Sequence, residues 1–231
     1  MKRQLRYENY SLIVLLIFLL IMMLVSPFVK GMPHANLILR VFFSLFLIAA
    51  VIASTHSKAH TFFIVILGIL ALIVGWGDFF SNTLSGITFN LLIDIIFIGY
   101  VVWIHLIKII RTDTVSSNLL YGALSVYLLI GLLMAFVYML IDLYYPASFP
   151  SSIAVFQNGH YSLEQHYLKY LYYSFITLTT LGYGDITPLS AQSQAFAYLE
   201  AVAGQFYLTV LVARLVGIYL FQNKKEKTDI L

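Results

Sequence analysis

Six long apolar runs set the strongest limit on what this chain can fold into. Each is close to the ~20 apolar residues that a helix needs to cross a bilayer. Hydrophobic residues make up 61% of the chain and charged residues only 10%, whereas about 25% of the residues of a soluble domain are charged. Since backbone polar groups must be hydrogen-bonded within a bilayer, the runs predict an all-α membrane protein with six transmembrane helices. The runs lie at 10–25, 36–54, 61–76, 87–110, 118–143 and 191–221.

The first run could belong to a cleaved signal peptide, since basic residues precede it. It is long for the core of a signal peptide, and Ser26-Pro27-Phe28 is a poor match to the small-residue cleavage site of such peptides. We therefore predict that the first run is a retained transmembrane helix.

The Lys and Arg residues of the connecting segments predict the orientation, because cytoplasmic segments of membrane proteins are enriched in them. With the N-terminus in the cytoplasm, nine of these residues fall on the inner side and two on the outer side. We therefore predict that both termini are cytoplasmic and that the protein lies in a plasma membrane, as in the inner membrane of a prokaryotic cell. The inner residues are Lys2, Arg3, Arg6, Lys58, Lys108, Arg111, Lys224, Lys225 and Lys227, and the outer residues are Lys30 and Lys169.

The charge and the residue types exclude several classes of protein. The net charge is only +3, and the basic residues form short clusters at the ends of the apolar runs, so no nucleic-acid partner is expected. The chain has no cysteine, which rules out disulfides and thiolate metal sites. We predict neither an enzymatic activity nor a cofactor.

The segment TLTTLGYGD at 177–185 lies between the fifth and sixth runs. A dehydrated cation needs a cage of oxygens at a fixed radius, and carbonyls that all face one axis require backbone angles of alternating sign. Gly182 and Gly184 tolerate such angles at alternate positions. A Gly-rich turn between two helices is the alternative interpretation. The short apolar stretch at 168–178 before the segment and the Thr-Pro dipeptide after it favour an ion site.

This segment and its setting resemble the selectivity filter of potassium channels, in which backbone carbonyls replace the hydration shell of K⁺. The resemblance implies a pore domain with an outer helix, an extracellular turret at 144–166, a re-entrant pore helix at about 168–179, the filter and an inner helix. Since a closed ring of carbonyls needs four such loops and the chain holds one, we predict a cyclic homotetramer. The implied filter residues are Thr180, Leu181, Gly182, Tyr183 and Gly184, with K⁺ as the permeant ion bound at Thr180, Leu181, Gly182 and Tyr183.

Residues on either side of the filter are implied to support it. Thr179 directly precedes it, and Tyr172 and Tyr173 stand where many members of the family carry paired tryptophans that brace the filter. Anchoring at the membrane interface is the alternative for both tyrosines. Asp185 stands at the outer mouth, where a ring of four carboxylates would raise the local cation concentration, and a turn-capping role is compatible with this. Ile176 replaces the carboxylate that some members place behind the filter, so inactivation through that carboxylate is not expected.

Three residues of the sixth run are candidates for roles in the pore. Gly204 lies 20 residues after Gly184, the spacing of the gating glycine in the family, and a glycine costs ~1 kcal/mol relative to alanine inside a helix. We interpret it as a hinge, with close helix packing as the alternative. Glu200 needs a partner near the pore helix, because an unpaired carboxylate is costly in a bilayer. Arg214 is expected at the cytoplasmic interface, where it would affect gating by meeting a lipid phosphate or Asp113.

The first four runs resemble the voltage-sensor bundle of six-span channels only in number, length and orientation. A voltage sensor needs several arginines at every third position of its fourth span. Here His105, Lys108 and Arg111 keep that spacing but lie at the cytoplasmic end, where membrane anchoring alone predicts basic residues. We therefore predict weak or no intrinsic voltage dependence, and a voltage-gated potassium channel with a reduced sensor is the alternative.

Two charged residues lie deeper in the first four runs. Arg40 and Asp94 both fall in the outer half of the membrane, and intramembrane charges usually pair. We expect an ion pair between them, with Asp78 as a further member.

Three histidines suggest an alternative class of protein. His56, His60 and His105 fall at the inner side, and a membrane electron carrier would bind haem between paired histidines. His56 and His60 lie in a polar loop, which argues against this alternative. A potassium transporter subunit is a second alternative, but such proteins hold four degenerate loops in one chain, and this chain has one intact loop.

The predicted organisation is a four-helix sensor-like bundle at 1–115, a pore domain at 116–221 and a short cytoplasmic tail at 222–231. The tail leaves no room for a cytoplasmic ligand-binding domain. The predicted function is passive, selective conduction of K⁺. Further copies of the chain and membrane lipids, including anionic ones, are the expected partners, and an accessory subunit and the opening stimulus are left open.

Overall fold

The structure is a computed structural model that describes residues 2–29, 32, 34–55, 58–81, 83–112, 114, 116–150 and 163–228. Helices are the only regular elements in these described residues. They are α1 Lys2–Val29, α2 Ala35–Ala53, α3 Lys58–Ser81, α4 Leu84–Arg111, α5 Ser117–Tyr144, α6 Leu163–Leu178 and α7 Ala191–Thr228.

Six of these helices, all except α6, are long and apolar enough to cross a membrane. The prediction of an all-α membrane protein with six such helices is confirmed. Helix α6 has 16 residues, fewer than the ~20 that a spanning helix needs. It lies between α5 and α7 in the chain, where the sequence predicts a re-entrant helix. Assembly as a tetramer stays a prediction.

Most helices extend beyond their predicted limits, and in the pore segment this applies to α6 and α7. Helix α6 begins at Leu163, earlier than the apolar stretch indicates. His166 and Tyr167 in its second turn are buried, so packing against neighbouring helices, rather than apolarity along the chain, sets this start. Helix α7 continues to Thr228, so most of the predicted tail is helical. Residues 151–162 of the predicted turret lie outside the described residues.

Hydroxyl side chains define where α4 and α5 begin. Thr83 Oγ1 accepts a hydrogen bond from the backbone N–H of Gly86 at 3.2 Å. Ser116 Oγ accepts one from the N–H of Leu119 at 3.3 Å. Such caps satisfy N–H groups that have no partner within the helix. Only the short connection 112–116 separates the two helices, which pack against each other.

One buried apolar cluster runs from the sensor-like helices into the pore segment. Phe46 of α2, Phe97 of α4, Tyr138 of α5 and Tyr170 of α6 are fully buried in it. Helix α6 is therefore held by the sensor-like bundle as well as by α5, although it is too short to span the membrane.

Helix α7 packs differently from the other long helices. In its most apolar window only 6% of the residues are buried, against 56% for α5. Its contacts are with α5 and α6, and most of its apolar surface is left uncovered within one chain. Its large exposed apolar side chains include Phe196, Leu199, Val202, Phe206, Val210 and Val216.

Arg40 and Asp94 come together within the bundle. Both line one cavity of about 40 Å³, together with Asn90 and with Tyr167 of α6. The Nη1 group of Arg40 also donates a hydrogen bond to the carbonyl of Gly75. The side chain of Asp78 lies outside the described residues, and the ion pair between Arg40 and Asp94 stays a prediction.

The histidines at the inner side make local contacts. The Nδ1 atom of buried His105 lies 2.9 Å from the carbonyl oxygen of Val101 in the preceding turn. His60 Nδ1 lies 2.9 Å from the hydroxyl of Tyr100. His56 lies outside the described residues. One nitrogen of each described ring is thus engaged by its own bundle.

Candidate functional site

The predicted filter lies in the loop that follows α6, and its backbone alternates in handedness. Thr180, Gly182 and Gly184 have φ angles of 57°, 54° and 80°, whereas neither Leu181 nor Tyr183 between them has a positive φ. Glycine tolerates this left-handed region, but a β-branched residue rarely adopts it. Thr180 therefore stores backbone strain of about 1–3 kcal/mol, as residues at functional sites often do. The sequence predicts the two glycine positions but not that of Thr180.

The loop is attached to the last turn of α6 by backbone hydrogen bonds. The N–H groups of Leu181 and Gly182 both donate to the carbonyl of Ile176, at 2.9 and 3.1 Å. The N–H of Thr180 donates to the carbonyl of Thr177 at 2.9 Å. Ile176, which the sequence marks only for lacking a carboxylate, thus supports the filter through its main chain. Any displacement of this turn must displace the filter as well.

The filter itself packs little within one chain. Leu181 and Tyr183 are 55% and 68% exposed. A Cβ atom added to Gly182 or Gly184 would meet no atom within 4 Å. The backbone of the loop is therefore open on the side away from α6. Irregular backbone at membrane depth is tolerated only where protein or a water-filled cavity surrounds it.

Hydroxyl groups at the start of the filter have defined partners. Thr179 Oγ1 donates to the carbonyl of Phe175 at 2.7 Å. The amide Nε2 of Gln205 in α7 donates to Thr180 Oγ1 at 3.1 Å. Gln205 is a residue that the sequence analysis misses, although its place directly after Gly204 could have drawn attention to it.

The two tyrosines of α6 have separate environments. The hydroxyl of exposed Tyr172 donates to Asp185 Oδ2 at 2.8 Å, which ties the pore helix to the outer end of the filter. This hydrogen bond raises the pKa of the Tyr172 hydroxyl. Tyr173 is buried instead and packs edge-to-face on Tyr138 and Phe149, with ring centroids 4.8 and 5.0 Å apart. A headgroup anchor would be exposed, so the geometry of Tyr173 fits support of the pore helix.

Gly204 is a point of close approach between α7 and α6. A Cβ atom at this position would overlap the carbonyl oxygen of Leu178, the last residue of α6. Helix α7 runs through Gly204 without interruption. This contact supports the packing alternative and gives the glycine a reason that the sequence could not provide. The hinge stays a prediction.

Glu200 and Arg214 connect α7 to the rest of the chain. Glu200 is buried and hydrogen-bonded to Ser174 of α6 and Tyr138 of α5, so the predicted partner near the pore helix is confirmed. Arg214 Nη2 donates to the carbonyl of Thr112 in the α4–α5 connection at 2.9 Å. Asp113 lies outside the described residues. The gating role of Arg214 stays a prediction.

Gly204→Ala should displace α6 from α7, because the new methyl group needs the space of the Leu178 carbonyl. Overpacking of this kind costs about 1–3 kcal/mol. The melting temperature of the purified protein should fall, and so should K⁺ flux into vesicles. Gly217→Ala is the matched control on the same helix, since a Cβ there meets no atom within 4 Å. An unchanged melting temperature and single-channel conductance, with only the open time altered, would instead favour a hinge.

Tyr172→Phe should loosen the outer end of the filter, because it removes the hydroxyl that donates to Asp185. We expect the K⁺ current to decay faster, most clearly at low external K⁺, where bound ions contribute least to holding the filter. Tyr144→Phe is the control, since this exposed hydroxyl contacts Thr88, away from the filter. Equal decay in the two variants and the parent protein would show that the Tyr172 hydrogen bond is dispensable.

Comparison with known proteins gives a family-model match and two relatives. Residues 125–221 match the family model described as "Ion channel". A 71-residue segment is 37% identical to the protein named "Two-pore potassium channel 5" of Arabidopsis thaliana, and covers 30% of this chain and 17% of that protein. Another alignment of 71 residues is 35% identical to the "Calcium-gated potassium channel TvoK" of Thermoplasma volcanium, covering 31% of this chain and 20% of that protein.

The family-model match covers α6, the loop that follows it and most of α5 and α7. The chain spans at most a fifth of the length of these relatives. The matched region includes the residues with alternating handedness and the Gly204 contact of α7 with α6. The protein is a multi-pass membrane protein with a segment similar to the ion-channel family and to segments of two potassium channels.

Proposed function

We propose that this protein is a potassium-selective channel in which Thr180 to Gly184 form the selectivity filter. The observation that carries the proposal is the alternation of positive φ at Thr180, Gly182 and Gly184. An alternation of this kind turns successive carbonyls toward one axis, as a line of sites for a dehydrated cation requires. The names of both relatives support K⁺ as the ion.

The proposed assembly is a homotetramer around the filter. Four loops are needed to complete each ring of carbonyls. The loop is open on the side away from α6, and Leu181 and Tyr183 are exposed in the single chain. The large apolar residues of α7 are also exposed in the single chain. Symmetric packing of four chains would enclose both surfaces, and the C-terminal ends of four α6 helices would then favour a cation in the central cavity.

The sensor-like bundle supports at most a weak response to voltage. The three basic residues at spacing three lie in the last two turns of α4, and Arg111 there is exposed. Buried His105 is engaged by its own backbone. A few charges at one edge of the membrane cross little of the transmembrane field. We propose that both termini lie in the cytoplasm, the orientation that puts the outer end of the filter outside.

Selectivity tests the proposal directly. In a bilayer with a K⁺/Na⁺ gradient, the reversal potential should lie near the equilibrium potential of K⁺, and Ba²⁺ should block the current because its radius is similar. Gly182→Ala should abolish K⁺ selectivity or conduction, since alanine is strained at a φ of 54°. A reversal potential near zero in the parent protein would rule out the filter assignment.

Voltage dependence is tested by stepping the potential in the same recordings. A charge that crosses the full field gains ~2.3 kcal/mol per 100 mV, so charges that stay at one edge should give only a shallow curve of open probability. Lys108→Gln and Arg111→Gln should leave that curve nearly unchanged. A steep curve that these substitutions flatten would establish the alternative, a voltage-gated channel with a reduced sensor.

A further inference from the structure

We propose that Glu200 acts as a neutral carboxylic acid that positions the pore helix, and hence the filter, from behind. The inference rests on the proposed channel function for its effect on K⁺, but its structural part concerns this chain alone. It assigns to α7 a role in supporting the filter in addition to any role in opening the pore.

The Glu200 side chain is the meeting point of three helices. It is 1% exposed. The hydroxyl of Tyr138 in α5 donates to Glu200 Oε2 at 2.6 Å. The hydroxyl oxygen of Ser174 in α6 lies 2.5 Å from Glu200 Oε1. One carboxyl group of α7 therefore links the outer helix and the pore helix.

The number of protons in this network indicates which form of the carboxyl group is present. Ser174 has one hydroxyl proton, but its oxygen lies within hydrogen-bond distance of both the Gly131 carbonyl, at 2.7 Å, and Glu200 Oε1. Neither of these atoms could donate to it if Glu200 were ionised. A proton on Oε1 resolves this, because Glu200 then donates to Ser174, Ser174 donates to Gly131, and Tyr138 donates to Oε2.

The surroundings of Glu200 also favour the neutral form. The titratable groups that face it are phenols, those of Tyr138 and Tyr127 from α5 and that of Tyr173 from α6. No basic side chain among the described residues forms an ion pair with it. An isolated carboxylate away from water is costly, whereas a neutral acid with two hydroxyl partners is fully satisfied.

The network reaches the filter through α6. Ser174 precedes Leu178 by one helical turn, as Glu200 precedes Gly204, so α7 contacts α6 at two successive turns. Between these two contacts lies Ile176, whose carbonyl accepts the N–H groups of two filter residues. Loss of the contact between Glu200 and Ser174 would free the turn of α6 to which the filter is hydrogen-bonded.

The test compares two substitutions of Glu200. Gln is neutral and can donate to Ser174 and accept from Tyr138, so Glu200→Gln should keep the K⁺ selectivity and the sustained current of the parent protein. Glu200→Leu fills similar space without these hydrogen bonds, and the sustained K⁺ current should fall roughly tenfold with the tetramer still formed. If Gln impairs the channel as much as Leu, the neutral form is wrong. If Leu behaves like the parent protein, the positioning role is wrong.

A second pair of variants covers the case in which Glu200→Leu fails to fold. Tyr138→Phe removes one hydroxyl from the network, whereas Tyr207→Phe removes a hydroxyl that joins α7 to the Ala123 carbonyl of α5 without contacting α6. Only Tyr138→Phe should reduce the sustained K⁺ current. Equal effects in the two variants would show a general loss of packing and overturn the proposal.

Infrared spectroscopy separates this inference from the proposed function. The parent protein should show the C=O stretch of a protonated, hydrogen-bonded carboxyl group at neutral pH, and the band should vanish in Glu200→Gln. Its absence from the parent protein would overturn the neutral form of Glu200 even if K⁺ selectivity holds. Conversely, a parent protein that shows the band but conducts Na⁺ as well as K⁺ would refute the proposed function alone.

Discussion

The structure depends on one constraint, which is that backbone polar groups at membrane depth must be paired or enclosed. Spanning helices pair these groups internally, but the loop at 179–185 leaves a line of carbonyls without helical partners. Its shape is nevertheless held by hydrogen bonds to α6, in particular by the carbonyl of Ile176. The rest of the pore segment can be understood as the means by which α6 is kept in place.

Small residues and buried polar groups share the task of holding α6. A Cβ atom on Gly131 of α5 would lie 2.7 Å from the ring of Phe175, so a larger residue there would require this ring to shift. A Cβ atom on Gly204 would meet the backbone carbonyl of Leu178, which can move only together with α6. Tyr127 adds a weak contact, its hydroxyl lying 3.4 Å from the Leu178 carbonyl. Close approach of this kind is how helices associate in lipid, where no hydrophobic force drives them together.

The sequence predicts the spanning helices and the left-handed backbone at Gly182 and Gly184, because both have local causes. Apolar length fixes the helices, and the spacing of Gly182 and Gly184 marks the loop. The supporting contacts are predicted only in part. The cost of a buried carboxylate predicts a partner for Glu200 near the pore helix. Helix α7 is apolar on nearly every side, however, so no periodicity indicates which residues are its partners or that Gln205 contacts Thr180. The start of α6 differs from the prediction for a related reason, since the helix includes buried His166 ahead of its apolar stretch.

Aromatic side chains form the joint between the sensor-like bundle and the pore helix. Phe136 of α5 packs between Phe43 of α2 and Tyr167 of α6, with ring centroids 5.6 and 6.3 Å away. The adjoining cavity, which brings Arg40 and Asp94 to the same place, has about 40 Å³, more than the roughly 15 Å³ that one water molecule requires. Hydration of these charges would lower the cost of burying them. A movement of the bundle would therefore act on α5, which packs against α1 and α4, and also directly on α6, which α1 and α2 contact, whereas α7 is contacted chiefly by α5 and α6.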